Sequence, residues 1–163
     1  MKTIAIYPGT FDPITNGHID LIRRSASIFP KVIVLVAGDT KKAPLFNLDE
    51  RVSMVREAVK RIPGTVRVEP FHGLLIDAVK KHSAKIIIRG LRAVSDFEYE
   101  SQMALMNRRL EPGVETFFMI SAEDYACLSS SFVKEIAGLG GNVGTLVPPG
   151  VKKRLSRLYS GRK

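Results

Sequence analysis

The chain has 163 residues and a mass of 18.0 kDa, the size of one domain whose core buries roughly 70% of the surface that the unfolded chain exposes. With 45% hydrophobic and 25% charged residues it has the composition of an ordinary folded protein, which excludes disordered, collagen-like and disulfide-scaffold classes, and its single cysteine, Cys127, excludes an internal disulfide. The net charge of +9 is concentrated in residues 151–163, where Lys152, Lys153, Arg154, Arg157, Arg162 and Lys163 occur without an acid; this stretch reads as a solvated helix end with frayed terminal residues rather than a nucleic-acid arm.

Pro8, Gly9 and Asp12 interrupt the N-terminal stretch before an export signal's apolar region is complete. The longest aliphatic run, 32–37, is far below the ~20 apolar residues that a membrane-spanning helix needs. The expected compartment is the cytoplasm.

Apolar, β-branched runs predict strands at 2–7, 32–37, 66–69, 85–88 and 116–120. Between the first two, Ile19, Ile22, Ala26 and Phe29 are spaced three, four and three apart, as one face of a helix requires, with Asp20, Arg23, Arg24 and Ser27 on the other side. Leu48, Val52, Val55, Val59 and Ile62 repeat that rhythm after an Asn47 cap with Glu50 three residues on, and Pro63-Gly64 stops the helix. Further helices are expected at 74–81, 96–110 and 131–137, and Pro148-Pro149 precedes a short basic one. Strands alternating with helices predict the α/β class: a single Rossmann-like domain, residues 1–163, with a mainly parallel five-stranded sheet, helices on both faces, and a basic C-terminal helix and tail from about 149. In such sheets ligands bind beyond the carboxyl ends of the strands, so the loops after each strand carry the functional reading.

The first loop runs Pro8-Gly9-Thr10-Phe11-Asp12-Pro13-Ile14-Thr15-Asn16-Gly17-His18. With Thr15 as the cap, Gly17 and His18 fall in the first helical turn, where free N–H groups and the positive helix end favour an anion. After the second strand, Lys41 reads as a solvated residue and Lys42 adds a cation at the sheet edge. After the third, Leu74 and Leu75 read as core at a helix start or as the wall of a pocket. The three histidines, His18, His72 and His82, show no ligand spacing, so a zinc site is not expected. Arg89-Gly90-Leu91-Arg92 leaves an apolar strand at the ligand edge; Arg89 is either bridged to a carboxylate or free for an anion, and two arginines about a glycine favour the anion. Tyr99, Met103, Met106 and Leu110 form a stripe suited to packing or subunit contact, with Glu100 and Asn107 two turns apart on another face. After the fifth strand, Ser129, Ser130 and Ser131 open a helix; one cap needs one serine, so the others supply donors around a second anion site. Cys127 has no base beside it in sequence and reads as structural.

These residues carry a resemblance. Gly9-Thr10-Phe11-Asp12-Pro13 with Thr15, Gly17 and His18 resembles the nucleotidylyltransferase superfamily, whose T/H-x-G-H signature begins its first helix. The stretch from Ile88 to Glu100, with Met106-Asn107-Arg108, resembles the bacterial phosphopantetheine adenylyltransferase family, and Leu128-Ser129-Ser130-Ser131 is similar to its serine-rich helix start. Tyr125-Ala126-Cys127 stands where an aromatic-Ser-Phe sequence is common. The resemblance implies transfer of AMP from ATP to 4′-phosphopantetheine, giving dephospho-coenzyme A and pyrophosphate, with Mg2+ carried on ATP and no protein metal site. It implies catalytic roles for His18, Thr10, Lys42 and Arg92. It places ATP against Thr10, Phe11, His18, Gly90, Leu91, Arg92, Glu100, Tyr125, Ala126, Cys127, Leu128, Ser129, Ser130 and Ser131. It gives the acceptor to Thr10, Lys42, Leu74, Leu75, Arg89 and Asn107. A homohexamer is implied, and no nucleic-acid or membrane partner.

Overall fold

The computed structural model describes residues 3–40, 43–92 and 94–160; Lys41 and Lys42 lie outside the described residues. Five strands, β1 (Ile4–Gly9), β2 (Lys31–Ala37), β3 (Val66–Phe71), β4 (Ile86–Leu91) and β5 (Glu115–Ile120), form one parallel sheet in the order β3-β2-β1-β4-β5. Six helices follow or separate them: α1 (Asn16–Ile28), α2 (Leu48–Val59), α3 (Leu75–Lys81), α4 (Val94–Leu110), α5 (Ser130–Gly138) and α6 (Pro149–Ser160). The α/β class, the parallel sheet and the Rossmann-like arrangement expected from the sequence are thus found, with every strand pair parallel.

Side chains alternate across the sheet with the period of two that an extended chain imposes. Ala5, Tyr7, Val32, Val34, Val36 and Ile88 face α1 and α2, meeting Leu21, Ile22, Val52 and Val55, while Ile6, Ile33, Leu35 and Ile87 face α3 through Ile76 and Val79. The aliphatic residues of β2 from Val32 to Val36 are at most 1% exposed, each contributing about 1.5–3 kcal/mol of burial.

Among the boundaries that differ from the sequence reading, two shape the site. β1 runs through Pro8 to Gly9 because its pairing with β4 ends at Ile6 opposite Ile87, so the N–H that Pro8 lacks has no partner waiting on that side. β4 continues three residues past Ile88, since Arg89, Gly90 and Leu91 pair with Phe118, Met119 and Ile120 of β5. Arg89 and Gly90 therefore stand on a strand end and not in a loop. A 3-10 turn at Glu123–Tyr125, which the sequence reading did not anticipate, precedes α5.

The basic C-terminal stretch is also more than a solvated end. Val151 and Leu155 of α6 are 1% exposed and pack into the core beside α2 and α5, leaving Lys152, Lys153 and Arg157 on the outer face. No described helix is long and apolar enough to cross a membrane.

Candidate active site

The strand order reverses about β1, and at such a switch point the crossovers leave in opposite directions and open a crevice. Beyond Ile6 and Ile87 the crevice widens into a cleft of about 300 Å3. It is lined by Gly17 and His18 of α1, by Arg89, Gly90 and Arg92 at the end of β4, by Glu100 of α4, and by Tyr125 and residues 128–131 leading into α5. A second cleft, about 450 Å3, shares Ser130 and Ser131 with the first and adds Thr10, Asp12, Asp39, Thr40 and Lys134. A larger groove of about 570 Å3 lies between α5 and α6, but Lys152 is its one charged residue among those described, so the ionisable chemistry gathers at the sheet edge.

His18 is fixed by its own helix. Thr15 caps α1, its hydroxyl accepting the His18 N–H at 3.4 Å, and the His18 Nδ1 accepts the Thr15 N–H at 3.0 Å. A histidine thus closes a capping box where Glu or Gln is usual. Because Nδ1 accepts, the neutral ring carries its proton on Nε2, on the side away from the cap. Burial, reinforced by the charge of Arg92, holds the ring's pKa down from 6.5 to about 4, so it is a neutral donor at pH 7. Phe11 braces it edge-on, centroids 5.2 Å apart, and Tyr7 braces Phe11 at 5.6 Å. The Phe11 ring lies over Gly9, where a Cβ would come within 2.8 Å of it, and Phe11 itself has φ 49. Phe11, expected to touch ATP, is 2% exposed, braces His18 and also lines the first cleft.

Arg89 realises the first of the two alternatives left open by the sequence. Its Nε and Nη2 donate to the two oxygens of Glu100 at 2.6 and 2.5 Å, and Nη1 reaches the Pro8 carbonyl at 3.2 Å. Burial alone would lower the guanidinium's pKa; the hydrogen bonds and charge of Glu100 more than offset it, and the arginine stays charged. Arg92 pairs with Asp96 at 3.1 Å and donates to the Leu128 carbonyl at 3.4 Å. At Gly90 a Cβ would lie 2.4 Å from Leu21 Cδ1, so any larger residue there would have to push the buried Leu21 side chain aside.

The three serines divide their tasks. Ser129 is the N-cap of α5 and accepts from the Phe132 N–H at 3.1 Å; Ser130 donates to the Pro13 carbonyl at 2.8 Å; Ser131 is exposed where the two clefts meet. Leu128 is buried and Cys127 exposed. Leu74 is 61% exposed and Leu75 half-buried at the start of α3, and neither lines the two clefts; nor does Asn107, which is buried in α4.

Two side chains of the site have no counterpart among the candidates chosen from sequence. Arg51, on the flank of the apolar face of α2, is 1% exposed and donates to the carbonyls of Phe46 (3.0 Å), Thr10 (2.8 Å) and Ala37 (2.7 Å). Asp12, noticed only as part of a motif, accepts the N–H groups of Leu45 and Phe46, each at 2.9 Å. The signal for Arg51 was its position next to Val52 and three residues after Leu48, which puts it at the edge of a buried stripe.

Two helix N-termini, a neutral imidazole donor and paired arginines converge here, with no nucleophile–base dyad among the described residues, an arrangement suited to aligning polyanions and stabilising charge on them.

The cytidylyltransferase-like family profile matches residues 6–136. The chain is 57% identical over 157 residues to phosphopantetheine adenylyltransferase of Heliobacterium modesticaldum, covering 96% of this chain and 93% of that one, and 55% identical over 163 residues to that of Hahella chejuensis, covering both chains fully. Among solved structures, it is similar to the bifunctional NMN adenylyltransferase/ADP ribose pyrophosphatase of Francisella tularensis, with a TM-score of 0.74 and 15% identity over 98% of this chain and 50% of that one. The Plasmodium falciparum nicotinic acid mononucleotide adenylyltransferase matches with a TM-score of 0.71 and 13% identity over 98% and 96% of the two chains, a likeness of fold.

Proposed function

We propose how the work is divided in a chain that belongs to the cytidylyltransferase-like family and, within it, to the phosphopantetheine adenylyltransferases. The reaction transfers the adenylyl group of ATP to 4′-phosphopantetheine, giving dephospho-coenzyme A and pyrophosphate. The attacking group is a phosphate whose second pKa of about 6 leaves it largely ionised at neutral pH, so no general base is needed. What remains is to bring two polyanions into line and to stabilise charge at the α-phosphate.

The observation that carries this reading is the pinned His18, a neutral ring that presents its Nε2 proton at the end of a helix where anions bind. His18 donates to the α-phosphate as charge builds there, and Arg92 adds a cation. Thr10 orients the attacking phosphate against it. Gly90, Leu91, Arg92, Glu100 and residues 125–131 hold ATP, with Ser131 and the N-terminus of α5 toward its phosphates. Arg89, kept charged and rigid by Glu100, and Lys42, outside the described residues, hold the acceptor's phosphate. Leu74, Leu75 and Asn107 serve its arm. Thr10 in the second cleft and Ser131, which lines both, support this assignment.

Enzymes of this family use ATP with a divalent metal. Among the described residues no group of three or more His, Cys, Asp or Glu side chains could hold an ion. We assign Mg2+, which keeps waters and nucleotide oxygens as ligands, as the ion arriving with ATP. The chain works as one nucleotidyltransferase domain, residues 1–163, in the cytoplasm.

It also works as a homohexamer. α4 exposes Tyr99 (55%), Met103 (40%), Met106 (50%) and Leu110 (48%), an apolar face that favours burial against other copies. Sedimentation at micromolar concentration gives six times the 18.0 kDa chain mass; a monomer removes the hexamer but not the activity.

The activity itself is tested by pyrophosphate release with Mg-ATP and each of 4′-phosphopantetheine, nicotinamide mononucleotide and glycerol 3-phosphate. Release with 4′-phosphopantetheine alone is expected. Release with another acceptor would overturn the specificity read from residues 88–107.

A further inference from the structure

Asp12 sits in the loop after β1, and its carboxylate, 6% exposed, ties three parts of the chain together. Besides the N–H groups of Leu45 and Phe46, it accepts Lys134 Nζ of α5 at 2.7 Å. Leu45 and Phe46 end the loop that follows β2 and contains the position of Lys42. Lys134 lies one turn past Ser130 and Ser131, and the Ser130 hydroxyl on the Pro13 carbonyl makes a second tie between the same two segments. The β2–α2 loop and the start of α5 belong to different crossovers, and Asp12, in the loop after β1, is bonded to both.

We propose that Asp12 and Lys134 are positioning residues for the transfer step, holding the half-site for ATP's phosphates in register with the half-site for the acceptor's phosphate. The proposal rests on the division of labour given above. In-line displacement depends on both phosphates being held at once in one alignment, and a misplacement of about 1 Å costs on the order of 100-fold in rate. Each substrate alone needs only its own half-site, so the pair acts on turnover and not on separate binding. Lys134 also neutralises a carboxylate beside Thr10, Ser130 and Ser131, where a free anion would repel both substrates.

The test uses the full chain with Lys134→Met, Lys134→Arg and the double variant Asp12→Asn/Lys134→Met, which removes both charges. Lys134 is partly exposed in a helix interior that accepts Met, so Lys134→Met keeps the measurement open if Asp12 variants fold poorly. At saturating ATP and 4′-phosphopantetheine, Lys134→Met lowers kcat about 10- to 100-fold, while calorimetric Kd values for each substrate alone stay within about threefold in the double variant. Lys134→Arg restores most of the turnover, and the double variant loses no more than Lys134→Met alone, because the two residues act as a unit.

Loss of ATP or pyrophosphate binding above about tenfold in the double variant, with saturated kcat unchanged, would overturn the proposal by making Lys134 a phosphate ligand. A lower Tm with normal kcat in the folded protein would overturn it by reducing the pair to a structural role. His18→Ala, run alongside, separates the readings. If it loses turnover while Lys134→Met does not, only the positioning proposal fails; if it keeps full turnover, the division of labour fails first.

Discussion

His18→Ala lowers kcat about 100- to 1,000-fold, about 3–4 kcal/mol of transition-state stabilisation, and leaves the Kd for ATP within about threefold. The split follows from geometry. The Nε2 proton is presented by a ring whose other nitrogen is committed to the Thr15 N–H, so its alignment is set before substrate arrives and is of most use where charge develops. Steady-state kinetics with both substrates saturating, together with calorimetric ATP binding, check it. A kcat within about threefold of the parent would remove His18 from the chemistry.

The same residue sets a pH signature. With its pKa lowered from 6.5 to about 4, the ring stays a neutral donor across the working range, so the ratio of parent to His18→Ala kcat holds constant from pH 8 down to about 5.5. The fall in rate near pH 6 then belongs to protonation of the acceptor's phosphate and is common to both proteins. The sign for stability is opposite to that of a salt-bridged histidine. Between 6.5 and about 4 the unfolded chain binds the proton more readily than the folded one, so His18 makes stability fall as pH drops through that window, and His18→Ala loses this part of the slope. Denaturant titrations of the two proteins at pH 7 and pH 5 check the direction, and a His18 ring that titrates near 6.5 by NMR, assigned by its absence from the His18→Ala spectrum, would falsify the assignment.

Arg51→Met destabilises the fold by about 3–5 kcal/mol, lowering Tm by roughly 10 °C in a chain of this length. Met fills much of the volume but leaves the carbonyls of Phe46, Thr10 and Ala37 without the donors that the buried guanidinium supplies. Burial pulls the pKa of Arg51 below its ordinary value, and the neighbouring Asp12 carboxylate works against that pull. Because the Thr10 carbonyl is one of the three acceptors, the variant also loosens the loop that carries Thr10, and under the proposed role of that residue kcat falls along with Tm. Calorimetric unfolding and steady-state kinetics on the folded fraction separate the two effects; a Tm within about 2 °C of the parent would show that water can replace the guanidinium.

The elements of the fold were legible because their causes are local. β-branched runs, the three-and-four spacing from Ile19 to Phe29, and the Asn47–Glu50 capping box act within a few residues of themselves, and the box is present as expected. The boundaries that moved did so for tertiary reasons. Arg89 and Gly90 became strand because β5 offered them partners, and α6 acquired a buried face because α2 and α5 were there to receive Val151 and Leu155.

The candidate site divides along the same line. The capped start of α1 could be read from Thr15, Gly17 and His18, since a helix cap and its free N–H groups are encoded within one turn. Which tautomer His18 holds was not legible, because it depends on a histidine taking the place of a glutamate in the capping box. Nor was the fate of Arg89, whose charge pattern fits an anion or a carboxylate equally until Glu100, a turn and a half into α4, is seen to reach it.

By itself the sequence determined the α/β class, the strand ends that the candidate site lies beyond and the capped first turn of α1, because period, capping and turn chemistry are short-range properties of the chain. The tertiary structure alone decided which polar groups share a buried partner. Arg51 and Thr10 are 41 residues apart and Asp12 and Lys134 are 122 apart; no local propensity records such pairs, and only the packing that buries Arg51 and the Asp12 carboxylate makes their partners necessary to them.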